Sequence, residues 1–327
     1  MTTLNELNER LTRPTHAEID TLSRHPGDII VLGASGKMGP SLVGRLRRAD
    51  PQRTIYAVAR SETKETGALS LKADLHNLDE VSRLPQAPIV FYLVGRKFGS
   101  TGRPDLTWAS NTIVPALTGW HFRKSKIVAF SSGNVYPFVE LNSKGSTEDQ
   151  PVGPVGEYAQ SALARERIFD YYSREHGTPT VILRLNYAVD LRYGTLVDIA
   201  RRVWLNQPVP LTVGRVNAIW QGDANRYAIQ ALDLCESPAS ILNVTGPEIV
   251  DVKEAAEWFA NRFGKTPTFA GTASPHALLN DASECHRRFG TPEVDLSTLR
   301  EWVARWLEQG SETLDKPTNF EVVDGRF

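Results

Sequence analysis

Residues 157–167 read Glu-Tyr-Ala-Gln-Ser-Ala-Leu-Ala-Arg-Glu-Arg, a helix-favouring run with Tyr158 near its start. A tyrosine on the first turn of a helix can pass protons if something draws its pKa down from about 10. The usual device is a lysine one helical turn later, and that position here is Ala162. Arg165 comes seven residues after the tyrosine, about 10 Å further along the helix axis. Whatever cation serves Tyr158 must therefore be sought elsewhere in the chain.

A second constellation is Gly33-Ala34-Ser35-Gly36-Lys37-Met38-Gly39, which follows the apolar run Asp28–Leu32 and opens a helical pattern. Glycines let a backbone turn tightly and come close to a pyrophosphate, and the helix start offers free N–H groups and a positive dipole end. The strand–loop–helix placement gives this spacing its weight. The second apolar run ends Ala59-Arg60-Ser61, where a reader of NAD would carry an acid for the ribose hydroxyl. Arg60 offers instead a fork of donors suited to a 2′-phosphate, with Lys37 or Lys64 as added charge. NADP is accordingly expected over NAD.

The elements that must position these residues are seven candidate strands: 28–33, 54–60, 68–74, 88–94, 126–132, 180–186 and 241–246. Continuous apolar runs alternating with helical patterns predict an α/β fold, a doubly wound parallel sheet with a smaller C-terminal lobe. The expected organisation is a helical extension over 1–27 outside the core. A dinucleotide-binding domain follows over 28–188 and 214–246, then a substrate lobe and tail over 189–213 and 247–327. The tail is expected as an arm or an interface strand.

Composition excludes several classes. Net charge is −1 with no long basic run, so neither nucleic acid nor a membrane surface is indicated as a partner. No run reaches the length of a membrane span, and the first residues lack the apolar core of a signal peptide, so a cytoplasmic protein is expected. Two cysteines and seven scattered histidines give no disulfide framework and no metal-ligand spacing. The hydrolase elbow Gly-x-Ser-x-Gly is absent.

Taken together, the glycine loop, Ala73-Asp74-Leu75, Ser131-Ser132-Gly133-Asn134-Val135-Tyr136 and Tyr158 resemble an extended short-chain dehydrogenase/reductase. The similarity is to the NAD-dependent epimerase/dehydratase family and covers about residues 28–250. It implies that Asp74 bonds the adenine amine, that Leu75 packs on the ring, and that Val94 and Gly95 flank the ribose. It further implies Ser132 as the hydroxyl that polarises the reacting oxygen, Tyr158 as acid/base and Asn111 as part of the active-site water network. The family has Tyr-x-x-x-Lys where this chain has Tyr-x-x-x-Ala, and its lysine holds the nicotinamide ribose and stabilises the tyrosinate.

Arg96 and Lys97, after the fourth strand, are candidates to supply that missing cation or to clamp an anionic substrate. Further candidate substrate contacts are Asn134, Asn186, Arg192 and Trp220, the last read more readily as a packing residue than as a sugar platform. Asp223 stands at one of two positions of a paired-acid motif. The expected function is that of an NADP-dependent oxidoreductase, epimerase or dehydratase acting on a hydroxylated, anionic, carbohydrate-like molecule. The alternatives are a non-catalytic NAD(P)-binding sensor, or a non-redox lyase or isomerase with a structural cofactor. Relatives of this kind often dimerise through the helix that starts at Tyr158, so a homodimer is among the expected arrangements.

Overall fold

The computed structural model describes every residue except 2, 62–66, 98, 100–101, 315, 317 and 327. Lys64, a candidate second cation for a 2′-phosphate, falls outside the described residues. In chain order the principal elements begin with α1 (Leu4–Thr12), α2 (His16–Arg24), β1 (Ile29–Leu32), α3 (Gly39–Ala49), β2 (Ile55–Ala59), β3 (Leu69–Lys72) and β4 (Ile89–Tyr92). They continue through α4 (Val114–His121), β5 (Lys126–Ser132), α5 (Gly156–His176), β6 (Thr180–Leu185) and α6 (Thr195–Trp204). The last are α7 (Gln221–Gln230), β7 (Ser240–Val244), α8 (Val252–Phe263) and α9 (Leu296–Glu308).

The strands form one seven-stranded sheet in the order β3-β2-β1-β4-β5-β6-β7, every neighbouring pair parallel. All seven lie where the apolar runs predict them. Ile29–Leu32 and Ile89–Tyr92 are wholly buried because helices cover both faces of the sheet. The order reverses between β1 and β4, and in such sheets the crevice beyond the strand ends at that point is where ligands bind.

A second core lies beyond the sheet. Leu196, Ile199 and Val203 of α6 pack with Ala255 and Phe259 of α8 and with Leu299, Val303 and Trp306 of α9. The N-terminal helices are more deeply involved than an outer extension would be. Leu7 and Leu11 of α1 enter the second core, while Leu22 of α2 enters the core of the sheet. The Glu18 carboxylate, fully buried, meets the guanidinium of Arg45 on α3, with Nη2 to Oε2 at 2.8 Å.

The tail, expected as an arm or an interface strand, has no strand among its described residues. It folds back over its own chain, burying Phe320 in the second core and setting Gly325 against Gly156 at the start of α5. A Cβ on Gly156 would come within 2.6 Å of the Gly325 carbonyl oxygen, so the two backbones touch.

Candidate active site

Two cavities open side by side at the strand ends. The first, the glycine-loop cavity of about 230 Å³, is walled by Ser35 and Gly36 of the loop, Arg60, Asp74, Leu75, Val94, Gly95 and Arg96. The three glycines have different reasons to be glycine. Gly33 has φ of +86°, and a Cβ there would also press on the backbone of Val94 at 3.1 Å. A Cβ on Gly39 would strike the Ala34 carbonyl oxygen at 2.2 Å, because α3 packs hard against the loop it leaves. Gly36 has neither constraint: its nearest neighbour is the Gly33 carbonyl at 3.2 Å, and it stands exposed at the cavity. A side chain there would obstruct a ligand rather than the protein, which fits a loop built for a pyrophosphate.

Arg60 stands exposed at the rim of this cavity, at the end of β2. Asp74 accepts from the backbone N–H of His76 at 3.1 Å, and its Oδ1 lies 2.9 Å from His76 Nδ1. The hydrogen bond from His76 holds the Asp74 carboxyl below its usual range. Asn111 is fully buried in a π turn (Ala109–Ile113) that leads into α4. Its side-chain oxygen accepts from Arg96 N (3.0 Å), while its Nδ2 donates to Arg96 O (3.2 Å) and Ser161 Oγ (2.8 Å). Asn111 thereby ties the loop after β4 to α5. Arg165 donates to the Val94 carbonyl (2.9 Å) and packs directly beneath Gly95, where a Cβ would lie 2.5 Å from its Nη1.

The second, the tyrosine cavity of about 220 Å³, gathers Ser132, Asn134, Tyr158 and Asn186 with Lys37, Lys97, Tyr187, Tyr193 and Thr318. Ser132 ends β5, and its hydroxyl donates to Asn134 Oδ1 at 2.9 Å and accepts from Asn134 N at 3.2 Å. Under it lies a buried network. Ser131 donates to Glu166 (2.5 Å), Arg184 donates to Glu166 (2.8 Å) and to the Tyr136 hydroxyl (2.7 Å), and Tyr136 donates to Asn243 (2.9 Å). A satisfied network of this kind fixes the end of β5 rigidly. Asn186 donates to Asn280 Oδ1 at 3.0 Å.

Ala162, where the family lysine would stand, is fully buried against Val135 and Tyr136. The ammonium beside the tyrosine comes from Lys97 instead, 5.9 Å from the ring centroids of both Tyr158 and Tyr187 and donating to the Thr318 carbonyl at 3.3 Å. Lys37 reaches the same cavity, its Nζ 3.0 Å from the centroid of the Tyr193 ring. Burial, reinforced by Lys97 and Lys316, pulls the Lys37 amine down to about 7, with Asp198 opposing. Burial pulls Lys97 down to about 8 against the attraction of Glu321 and Asp198. The phenols of Tyr187 and Tyr193 are pushed up, chiefly by burial.

Some expected residues stand apart from both cavities or change sides. Trp220, a candidate sugar platform, is buried and packs edge-on to Trp302 at 5.4 Å. Arg192 is committed to Asp190, with Nη2 to Oδ2 at 2.5 Å. Arg96 lines the glycine-loop cavity rather than the tyrosine cavity, whereas Lys37 and Met38 do the reverse. Asp223 holds the backbone N–H groups of Glu293 (2.9 Å) and Val294 (3.1 Å), a structural duty. Sequence reasoning missed His76, Tyr187, Asp198 and Thr318. Of these only His76, two residues past Asp74, carried any sequence signal. Among the described residues no three or more His, Cys, Asp or Glu side chains are grouped to hold a metal ion. No helix among them is long and apolar enough to cross a membrane.

The parallel sheet, the reversal between β1 and β4 and the glycine loop define a dinucleotide-binding Rossmann fold. Residues 29–189 match the family model described as NAD dependent epimerase/dehydratase family. The fold is shared with a UDP-glucose 4-epimerase from Thermotoga maritima, solved with UDP-glucose (TM-score 0.73, 16% identity, covering 86% of this chain and 99% of that one). It is also shared with MoeE5 in complex with UDP-glucose and NAD (TM-score 0.70, 20% identity, 86% and 98% covered). A third similar structure is a short-chain dehydrogenase/reductase superfamily protein from Agrobacterium tumefaciens with bound NAD (TM-score 0.72, 18% identity, 86% and 96% covered). No curated protein matches the chain.

Proposed function

We propose that the chain is an NADP-dependent enzyme of the epimerase/dehydratase class, acting on a hydroxylated, anionic, carbohydrate-like small molecule. The observation that carries this reading is the meeting of Ser132, Tyr158 and two lysines in one cavity beside a glycine-loop cavity. A bare cofactor sensor needs no hydroxyl pair of this kind.

In this reading the loop 33–39 holds the pyrophosphate against the start of α3, Asp74 and Leu75 take the adenine, and Arg60 meets the 2′-phosphate. The nicotinamide, when bound, supplies hydride exchange. Ser132 donates a hydrogen bond to the reacting oxygen of the substrate, lowering the cost of charge there. Tyr158 passes a proton between its phenol oxygen and that same oxygen. Lys97 places an ammonium beside Tyr158 from the loop after β4, where the family draws it from the helix. Asn111 keeps that loop in register with α5 through Ser161.

The test joins binding to turnover. NADPH and NADH are titrated by fluorescence into cofactor-stripped wild type and Tyr158→Phe, and turnover is then screened as oxidation of sugar acids and related polyols with NADP⁺. NADPH should bind both proteins alike and more tightly than NADH, while Tyr158→Phe should lose about 10²–10⁴-fold in turnover. Tight NADPH binding with turnover insensitive to Tyr158→Phe would leave the sensor reading in its place.

A further inference from the structure

We infer that Arg165 is a specificity residue of the cofactor site: its guanidinium, buried beneath Gly95 with no carboxylate of its own, makes the site hold the reduced dinucleotide more tightly than the oxidised one. The inference rests on the cofactor reading above and goes beyond it, to the redox form that the chain retains.

The first argument is a missing partner. Among the described residues four arginines are buried: Arg45, Arg165, Arg184 and Arg226. Three of them are matched to an acid, Arg45 to Glu18 (2.8 Å), Arg184 to Glu166 (2.8 Å) and Arg226 to Asp223 (3.3 Å). Arg165, only 4% exposed, has neutral acceptors alone. Its Nη1 donates to the Val94 carbonyl (2.9 Å) and lies 3.5 Å from Asn111 Oδ1, while its Nε has no partner at all. Glu166, the next residue, is taken up by Arg184 and Ser131. The Tyr92 phenol feels the same guanidinium, but burial pushes it up, so it stays neutral and balances nothing. A guanidinium is a permanent cation, and a buried charge without a counter-charge is costly. A group left so in a folded chain calls for a reason outside the fold.

The second argument is where the charge lies. Gly95 and Arg96 line the glycine-loop cavity and Lys97 lines the tyrosine cavity, so residue 95 stands at the seam between the two. No side chain separates the seam from the guanidinium: a Cβ on Gly95 would lie 2.5 Å from Arg165 Nη1. In the cofactor reading the dinucleotide spans both cavities, from the glycine loop to Ser132 and Tyr158, and so crosses this seam. Its phosphates are the same in both redox forms, and a cation favours them equally. The nicotinamide ring is positive when oxidised and neutral when reduced. A fixed cation at the seam therefore penalises the oxidised form alone, and a buried one is little screened by salt.

A strut that merely ties α5 to the loop after β4 needs a donor to the Val94 carbonyl but no charge, and the experiment turns on that difference. Cofactor-stripped wild type, Arg165→Gln, Arg165→Met and Arg165→Lys are titrated calorimetrically with NADPH and NADP⁺, or with NADH and NAD⁺ if that pair binds more tightly. The quantity read is the ratio of the two affinities. Arg165→Gln keeps a donor and drops the charge, so the ratio should move toward the oxidised form by about tenfold, the scale set by one nearby charge in protein. Arg165→Met should move it likewise, and Arg165→Lys should stay near wild type. Lost packing weakens both forms alike, so an unchanged ratio in Arg165→Gln and Arg165→Met would overturn the inference. So would a ratio shifted as far in Arg165→Lys, or binding of both forms abolished together in the two neutral variants, which would make Arg165 a strut. Wild type that binds neither form removes the cofactor reading itself, a different failure from wild type that binds both with a ratio indifferent to Arg165.

Discussion

The two cavities are built from the same strand ends, yet they differ in how closely they keep to the family pattern. The glycine-loop cavity gathers Gly33, Ser35 and Gly36 of the loop with Arg60, Asp74 and Leu75, all residues quoted for the cofactor. In the tyrosine cavity the hydroxyls of Ser132 and Tyr158 are in place, but the cations come from other elements. Lys97 arrives from the loop after β4 and Lys37 from the glycine loop itself, while position 162 is filled by a buried alanine. The difference has a geometric origin. A pyrophosphate is bound largely by backbone, so the loop's shape is tightly constrained. An ammonium on a four-carbon stem can reach one point from several places.

The comparison predicts that the first cavity fails through backbone and the second through charge. The largest effect should come from Gly39→Ala, whose Cβ would meet carbonyl oxygen at 2.2 Å. Forced backbone shifts of this kind cost about 1–3 kcal/mol, and thermal unfolding should show a Tm lower by several degrees. Gly36→Ala is the matched control, with only a 3.2 Å contact to relieve. Its Tm should stay near wild type while NADPH affinity falls about tenfold or more. A large loss of Tm in Gly36→Ala, with cofactor affinity intact, would mean that the loop's spacing serves folding alone.

Next in size is Arg60→Glu. Charge-assisted hydrogen bonds to a phosphate contribute about 1.5–3 kcal/mol, so the variant should lose about 10–100-fold in NADPH affinity and gain relative preference for NADH. Parallel fluorescence titrations read this directly. An unchanged ratio would show that the exposed guanidinium reads nothing, and that the cofactor preference is set elsewhere.

How much of this could be read in the sequence follows the same division. The seven strands were legible because a sheet covered on both faces needs unbroken apolar runs, and Ile29–Leu32 or Ile89–Tyr92 can be little else. Ser132 and Tyr158 were legible because short motifs place them at the end of a strand and the start of a helix. Thr318 was not: its partner Asp198 is 120 residues away, and Asp-Lys-Pro-Thr-Asn-Phe has no periodicity to announce a wall. Tyr187 was hidden for another reason. It holds a left-handed φ of +44°, which a sequence gives no reason to expect of a tyrosine. Trp220 reads from the sequence more as a packing residue than as a sugar platform, and its partner Trp302, which decides the matter, lies 82 residues on.

The smallest effect separates the two cavities by pH. The Lys37 amine is drawn down to about 7 in the folded chain from an ordinary 10.5. Between those values the unfolded chain keeps a proton that the folded chain has released, so this group makes stability rise with pH across the window and fall as pH drops toward 7. The slope is at most about 1.4 kcal/mol per pH unit. Cys235, pushed up to about 12 by burial, acts in the opposite sense once the unfolded thiol ionises, so the contribution must be isolated by difference. Chemical denaturation of wild type and Lys37→Met at pH 7 and pH 9 does this. The variant should be the more stable of the pair at pH 7, with its advantage shrinking by pH 9. Carboxylate binding should move the other way, weakening from pH 7 to pH 9 as Lys37 and Lys97 lose their protons, whereas NADPH binding should change little because no lysine lines the described wall of the glycine-loop cavity. Stability and acid affinity rising together with pH would mean that the lysines face away from the ligand, and the division between the two cavities would have to be redrawn.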